Sequence, residues 1–388
     1  MSERYDVAVV GSGIVGLGAA YAAARRGLRV VVLDRTVEPV GATVRNFGHL
    51  CFTPQAGDAL TYSLAARDAW LRLARDAGFW LRRSGTHIIA RHADELALLT
   101  AAARRVPSGF GEEPEIRVLD AREATAAVPV APTGIVGGAL LPYDLQTDPR
   151  SAASAIVRYL TSLGVEFRMR TAVGRAADGR VRTSRGDVLA DTIVVAVNHD
   201  LDQLFPELAE ANDVLRCSLD MLRVQLPLTA PLGAPLLTGW SLIRYSGFAT
   251  LPEAAAVRQR LHSTRPDLAA IDLNQMYTQL PDGSLVVGDS HFRSATPGPF
   301  QSEAVAELLL AETERLFGAP ARVLERWQGV YASGRHEFLI AEPAEGVLVL
   351  TVTTGIGMTT GLGLAETALA ARFDSAAAPV LLTTKGTR

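Results

Sequence analysis

The segment 5–34, YDVAVVGSGIVGLGAAYAAARRGLRVVVLD, constrains the fold more than any other stretch of this 388-residue chain. Tyr5 and the apolar run from Val7 to Val10 predict a buried strand. Gly11, Gly13 and Gly16 follow in G-x-G-x-x-G spacing, residues 14–26 have helical composition, and residues 30–33 predict a second, parallel strand closed by Asp34. Each glycine meets its own demand: a tight turn at the first, close backbone approach to a pyrophosphate at the second, helix-on-strand packing at the third. The helix N-terminus then faces the phosphates, and an acid at the position of Asp34 accepts hydrogen bonds from a ribose. Glycine-rich turns also join strands to helices without any ligand. Here strand, helix, second strand and terminal acid stand in order, which points to a bound dinucleotide.

The fingerprint begins at residue 6 and most of the chain follows it, an arrangement more typical of FAD proteins than of NAD dehydrogenases. The length allows two domains with a substantial core, and 20% charged residues is ordinary for a soluble protein. A net charge of −3 with scattered arginines argues against nucleic acid as a partner, since phosphate backbones demand a concentrated basic face. Cys51 and Cys217, the two cysteines, stand in no metal-ligand or redox spacing, so no metal is expected and reduced thiols are. MSERYD runs straight into the first strand without the apolar stretch of a secretion signal, and no apolar run reaches membrane-spanning length. A cytoplasmic protein is the expectation.

Along the chain, residues 41–57 predict a structured loop, 60–77 a helix, 86–90 a short strand and 94–105 a helix. Strand-like pieces lie around 116–119 and 134–141. Asp148 ahead of Pro149 is a helix cap for 151–163, followed by a strand at 165–170, a turn-linked pair at 180–185 and 187–189, and a buried strand at 191–197. LRCSLDMLRVQ, 215–225, alternates as in an antiparallel sheet, and 276–292 predict a hairpin around Asp282-Gly283. Helices are expected at 252–261 and 302–317. A strand at 347–353, the turn TGIGMTTG and a helix from near Thr360 then repeat the strand, glycine turn and helix of the N-terminus. The fold class is α/β (α+β): a Rossmann-like, discontinuous domain of residues 1–85, 145–214 and 327–388, and an antiparallel or mixed-sheet substrate domain of residues 86–144 and 215–326.

The order of these pieces resembles the D-amino-acid oxidase, glycine oxidase and sarcosine oxidase superfamily of FAD-dependent enzymes. More narrowly, VRNFGH at 44–49, CSLDMLR at 217–223, IRYSGFA at 243–249, GDSHF at 288–292 and RWQGVYAS at 326–333 resemble a bacterial subgroup associated with aminophosphonate metabolism. The resemblance implies that Gly11, Gly13, Ile14, Val15 and Gly16 hold the pyrophosphate and that Asp34, Arg35 and Val173 meet the adenosine end. It implies that Thr43, Arg45, Asn46, Phe47 and Gly48 line the flavin edge. Gly355, Gly357, Met358 and Thr359 would set backbone amides near flavin N1 and the C2 carbonyl, where negative charge collects when hydride arrives from the carbon beside an amine. The family's carboxylate-binding arginine is replaced by Tyr331 with Arg335 four residues on, and the cysteine that bonds flavin covalently in monomeric sarcosine oxidase has no counterpart around 326–336. Non-covalent FAD is therefore expected, with His49 the residue to test for a covalent link.

An anionic substrate needs Arg, His or Tyr donors beside the flavin. Arg45 and His49 are the first candidates, each with a structural alternative as a loop or backbone contact. On a strand, Tyr245 would share a face with Ile243 and leave Arg244 outward. His291 follows a hairpin strand expected to cross the substrate face. Arg335 is a candidate phosphonate contact or a solvated turn residue. Asp289 and Asp220 read as strand-end caps rather than bases, and Trp70, Phe79, Trp80 and Trp327 as packing residues. The expected reaction is oxidation of the C–N bond of a small amine, with 2-aminoethylphosphonate or its N-methyl derivative favoured and O2 or another acceptor reoxidising the flavin. The alternatives are a glycine, sarcosine or D-amino acid oxidase, a non-catalytic flavin-binding or redox-sensing protein, and an NAD-dependent dehydrogenase.

Overall fold

The computed structural model of the chain describes residues 4–105, 107–374 and the backbone of 384–385; the expectations for 1–3, 375–383 and 386–388 lie outside the described residues. Strands of unbroken apolar composition must be covered on both faces. They form the centre here: Val30–Leu33, Arg4–Val10, Gly186–Val195 and Val347–Thr354 run parallel side by side, with Glu166–Arg168 beyond Val30–Leu33. Val7, Val9, Val30 and Val32 pack in one core with the helices Ile14–Arg25, Gly57–Ala77, Pro149–Ser162 and Gly357–Phe373. Ala8, Val10, Val31 and Leu33 point the other way into a second core with Ala176, Val181 and Leu201.

A second region is antiparallel. Leu215–Gln225 lies between Leu285–Gly288 on one side and the 23-residue strand Arg322–Ala344 on the other. The sheet continues through Met276–Gln279 and Leu236–Leu237 to Thr86–Ala90 and Gly137–Leu141. Arg322–Ala344 joins the two regions: residues 322–333 pair with Leu215–Gln225, and residues from 333 onward pair with Val347–Thr354. One large mixed sheet results. The buried apolar residues at 88–141 and 217–317, with Phe47, make the third core. Among the described residues no helix is long and apolar enough to cross a membrane.

Four local expectations need correction. The paired segment at 187–189 and the strand at 191–197 are one strand, Gly186–Val195, because no turn-forming residue interrupts it. The last helix begins at Gly357, since Gly355 at φ +74 turns the chain directly after Thr354. A helix at Ala121–Ala127, announced by the Asp120/Glu123 capping box, had not been anticipated. Residues 243–245 are no strand. They connect two single turns of helix, Gly239–Leu242 and Ser246–Ala249, so the two-residue alternation used to orient Arg244 and Tyr245 does not apply.

Candidate active site

The parallel strand ends and the antiparallel sheet enclose a cavity of about 990 Å³. Gly11 leaves the first strand at φ +102, and a Cβ there would lie 2.4 Å from the Ala196 carbonyl oxygen. Gly13, Ile14 and Val15 line the cavity, and Thr43 Oγ1 accepts from the Ile14 N–H at 2.8 Å. The first-turn amides of Ile14–Arg25 thus present the positive end of that helix to the cavity. Asp34 also lines it. Its Oδ2 accepts from the Ser12 N–H and hydroxyl at 2.7 and 2.6 Å, and its Oδ1 from the Thr36 N–H and hydroxyl at 2.9 and 2.7 Å. Two of these four donors are hydroxyls that rotate, which leaves the carboxylate able to accept from a ribose. Arg35, ion-paired with Asp200 at 2.6 Å, and Val173 are further wall residues. This donor set suits the phosphates and ribose of a dinucleotide.

The loop after the second strand forms another wall. Asn46 Nδ2 donates to the Ala42 and Thr43 carbonyls, and its Oδ1 accepts from the Gly48 N–H, so this side chain holds the loop while lining the cavity. Thr43 and Phe47 line it as well, and the Phe47 carbonyl accepts from the Thr278 hydroxyl. Arg45 stands at the exposed rim, its Nη1 donating to the Gln328 carbonyl at 3.2 Å. Opposite, Gly355, Gly357 and Met358 bring the N-terminus of Gly357–Phe373 to the cavity. Trp70 donates to the Met358 carbonyl and Trp327 to that of Arg45, so both tryptophans anchor walls from behind.

Five expected site residues do not line the cavity. Gly16 seats the helix on the turn, where a Cβ would meet the Gly11 carbonyl oxygen at 1.9 Å, and Gly48 is pressed in the same way against Thr147. Thr359 is buried, its hydroxyl accepting from the Cys51 N–H. His49 lies behind the wall, with Nε2 2.6 Å from the Thr86 hydroxyl and Nδ1 3.0 Å from Met276 sulfur; burial lowers its pKa to about 3. The ring is buried behind Met276, which does line the cavity. Arg335 points to the surface and pairs with Asp213 at 2.8 Å, both side chains more than half exposed.

At the remaining end, segments far apart in the chain converge. Asp272, held at φ +47, receives Arg244 on Oδ1 at 2.6 Å and Arg293 on Oδ2 at 2.9 Å. Both arginines line the cavity, so Arg244 is not directed outward. The Asp272 carbonyl accepts from Arg244 at 3.0 Å and from His291 Nδ1 at 2.9 Å. Nδ1 therefore carries the ring proton, and burial, with Arg244 adding to it, holds the His291 pKa well below the usual range. Asp289 lies beside it, Oδ2 3.6 Å from His291 Nε2, and Oδ1 has no hydrogen-bond partner. Burial pushes the Asp289 pKa up to about 7. Tyr245 and Tyr331 complete this end, and burial raises both phenols well above their ordinary value. Sequence reasoning missed Asp272 and the arginine pair because 244, 272 and 293 meet only through tertiary structure. For Asp289 the signal was present in GDSHF but was read as a cap. Its backbone is paired with that of Asn274, and the Asn274 side chain and the Asp289 N–H also act on the carboxylate, so the capping role holds in part while Oδ1 is left without a partner.

No curated protein matches the chain. Among solved structures it is similar to glycine oxidase from Geobacillus kaustophilus, at 19% identity and TM-score 0.76, covering 97% of each chain. It is similar to iminodiacetate oxidase from Chelativorans sp. BNC1, at 20% identity and TM-score 0.76, covering 98% of this chain and 100% of that one. It is also similar to L-alpha-glycerophosphate oxidase from Mycoplasma pneumoniae with FAD bound, at 17% identity and TM-score 0.72, covering 95% and 94%. At these identities the likeness establishes the glycine oxidase-like fold. The family profile described as FAD dependent oxidoreductase spans residues 6–372, nearly the whole chain, and the protein belongs to that DAO family.

Proposed function

We propose that this FAD-dependent oxidoreductase oxidises the C–N bond of a small amine that also carries an anionic group, with 2-aminoethylphosphonate or its N-methyl derivative the favoured substrate. The observation that carries this reading is the cluster at one end of the cavity. Two guanidinium groups, Arg244 and Arg293, share the carboxylate of Asp272 and line the ligand space with N–H donors. Phosphonate and carboxylate are the anions that guanidinium forks recognise. The names of two structural neighbours, glycine oxidase and iminodiacetate oxidase, support an amine as the group oxidised.

FAD, when bound, supplies the hydride acceptor. Gly11, Gly13, Ile14 and Val15 would hold its phosphates, Asp34 its ribose, and the amides at Gly357 and Met358 would face the ring where negative charge gathers. Arg244 and Arg293 orient the substrate by its anion, and Tyr245, Tyr331 and Phe47 wall the reacting carbon from water. The imine product hydrolyses to an aldehyde, and O2 or another acceptor takes the electrons. The same reading divides the chain into an FAD-binding domain (1–85, 145–214, 327–388) and a substrate domain (86–144, 215–326), supported by the separate core at 88–141 and 217–317. We place the enzyme in the cytoplasm.

Anaerobic titration of the yellow holoenzyme tests the substrate. Bleaching of the flavin by 2-aminoethylphosphonate or its N-methyl form, and not by glycine or sarcosine, is the expected result. Bleaching by the amino acids alone assigns the pocket to carboxylates, and no bleaching by any amine makes the flavin non-catalytic toward this class.

A further inference from the structure

Asp200 and Asp272 line the cavity with arginines paired to their carboxylates, and Asp34 has protein donors on both oxygens, whereas Asp289 Oδ1 has no hydrogen-bond partner. The Asn274 side chain and the Asp289 N–H are the protein donors that act on this carboxylate. A carboxylate oxygen withdrawn from water without a partner is costly, so Oδ1 at a ligand wall calls for a donor that arrives with the ligand. The Asp289 backbone is held by two hydrogen bonds to Asn274, at 2.7 and 2.9 Å. The side-chain torsions χ1 and χ2 then aim the carboxylate. His291 Nε2, the lone-pair nitrogen of the neutral ring, lies 3.6 Å from Oδ2. Two acceptors therefore stand together, beside two guanidinium groups that only donate.

We propose that Asp289, with His291 Nε2 beside it, is the subsite for the substrate's ammonium, and that the Asp289 carboxylate takes one proton from it. The inference rests on the amine-oxidising reading above. One N–H bond breaks, its electron pair stays on nitrogen, and an O–H bond forms on Asp289. The freed lone pair then assists departure of hydride from the adjacent carbon. The groups facing this carboxylate are Arg244 and Asp272 from the two loops, the hydrogen-bonding Asn274 side chain, Tyr245, His291 on its own segment, and Tyr331 and Cys217 from the long strand pair. Arg244 holds the pKa down against burial, and the net value of about 7 lets the carboxylate act as acceptor in mildly alkaline solution.

Binding, rather than turnover, decides the matter. Holoenzyme reduced beforehand with dithionite and desalted anaerobically cannot take a hydride, so calorimetric titration with 2-aminoethylphosphonate and with ethylphosphonate, which lacks the amine, reads recognition alone. The wild type is expected to prefer the amine by about tenfold at pH 8, a preference that shrinks as pH falls through 7. Asp289→Asn is expected to bind the two ligands within about twofold, with ethylphosphonate affinity retained as the sign of an intact fold. A preference that survives in D289N, or is absent from the wild type, overturns the proposal. Failure of the substrate reading shows separately, as oxidised holoenzyme that no amine bleaches.

Discussion

His49 and Asp144 sit side by side without solvent, Nε2 3.8 Å from Oδ2, and burial acts on them in opposite directions. The histidine is lowered to about 3 and the aspartate raised to about 6, so both are held neutral in the folded chain at mildly acidic pH. Unfolded His49 takes a proton as pH falls below its ordinary value of 6.5 while the folded one does not, so its contribution to stability is lost progressively from there toward pH 3. Folded Asp144 takes its proton near pH 6, before the unfolded group does at 3.8, so its effect over that interval stabilises on acidification. Between pH 6 and 4, His49→Gln should therefore gain stability relative to wild type as pH falls, and Asp144→Asn should lose it. Each slope is bounded by about 1.4 kcal/mol per pH unit for one proton. Chemical denaturation at half-unit pH steps reads both, and parallel curves for all three proteins would remove the pair from the acid response.

Elements place the site by how closely they approach. Helices Gly57–Ala77 and Gly357–Phe373 touch at Gly363, where a Cβ would lie 1.9 Å from the Tyr62 carbonyl oxygen, and the second of these helices carries Met358 to the cavity wall. Gly363→Ala must push the pair apart, an overpacking change that costs about 1–3 kcal/mol. A lower Tm with weakened FAD retention is the expected pairing of effects; an unchanged Tm would mean that the contact relaxes freely. At this scale much was legible in advance. Leu215–Gln225 and Thr86–Ala90 fall where alternation and apolar runs put them, and Asp148 accepts from the Arg150 N–H as a helix cap should. Residues 243–245 were not legible, because a three-residue link between single helical turns has no period of its own.

At the scale of the molecule, one strand of 23 residues, Arg322–Ala344, belongs to both the parallel and the antiparallel regions, and the cavity is walled by each. A ligand filling that cavity links them, so FAD should raise the stability of the whole chain. Flavin removal should lower Tm, and restoring FAD at a hundred times its Kd should return about 2.7 kcal/mol. Equal melting of apoprotein and holoenzyme would contradict this. The glycine turn, its following helix and Asp34 were decided by sequence alone, since turn chemistry and hydrophobic period act within a few residues of each other. The family's fold follows from such local units in order. The meeting of Arg244, Asp272, Asp289 and Arg293, and the withdrawal of His49 and Arg335 from the cavity, were decided by tertiary structure. Charge and desolvation act through space, and nothing in the spacing of those residues states which loops will close on one another.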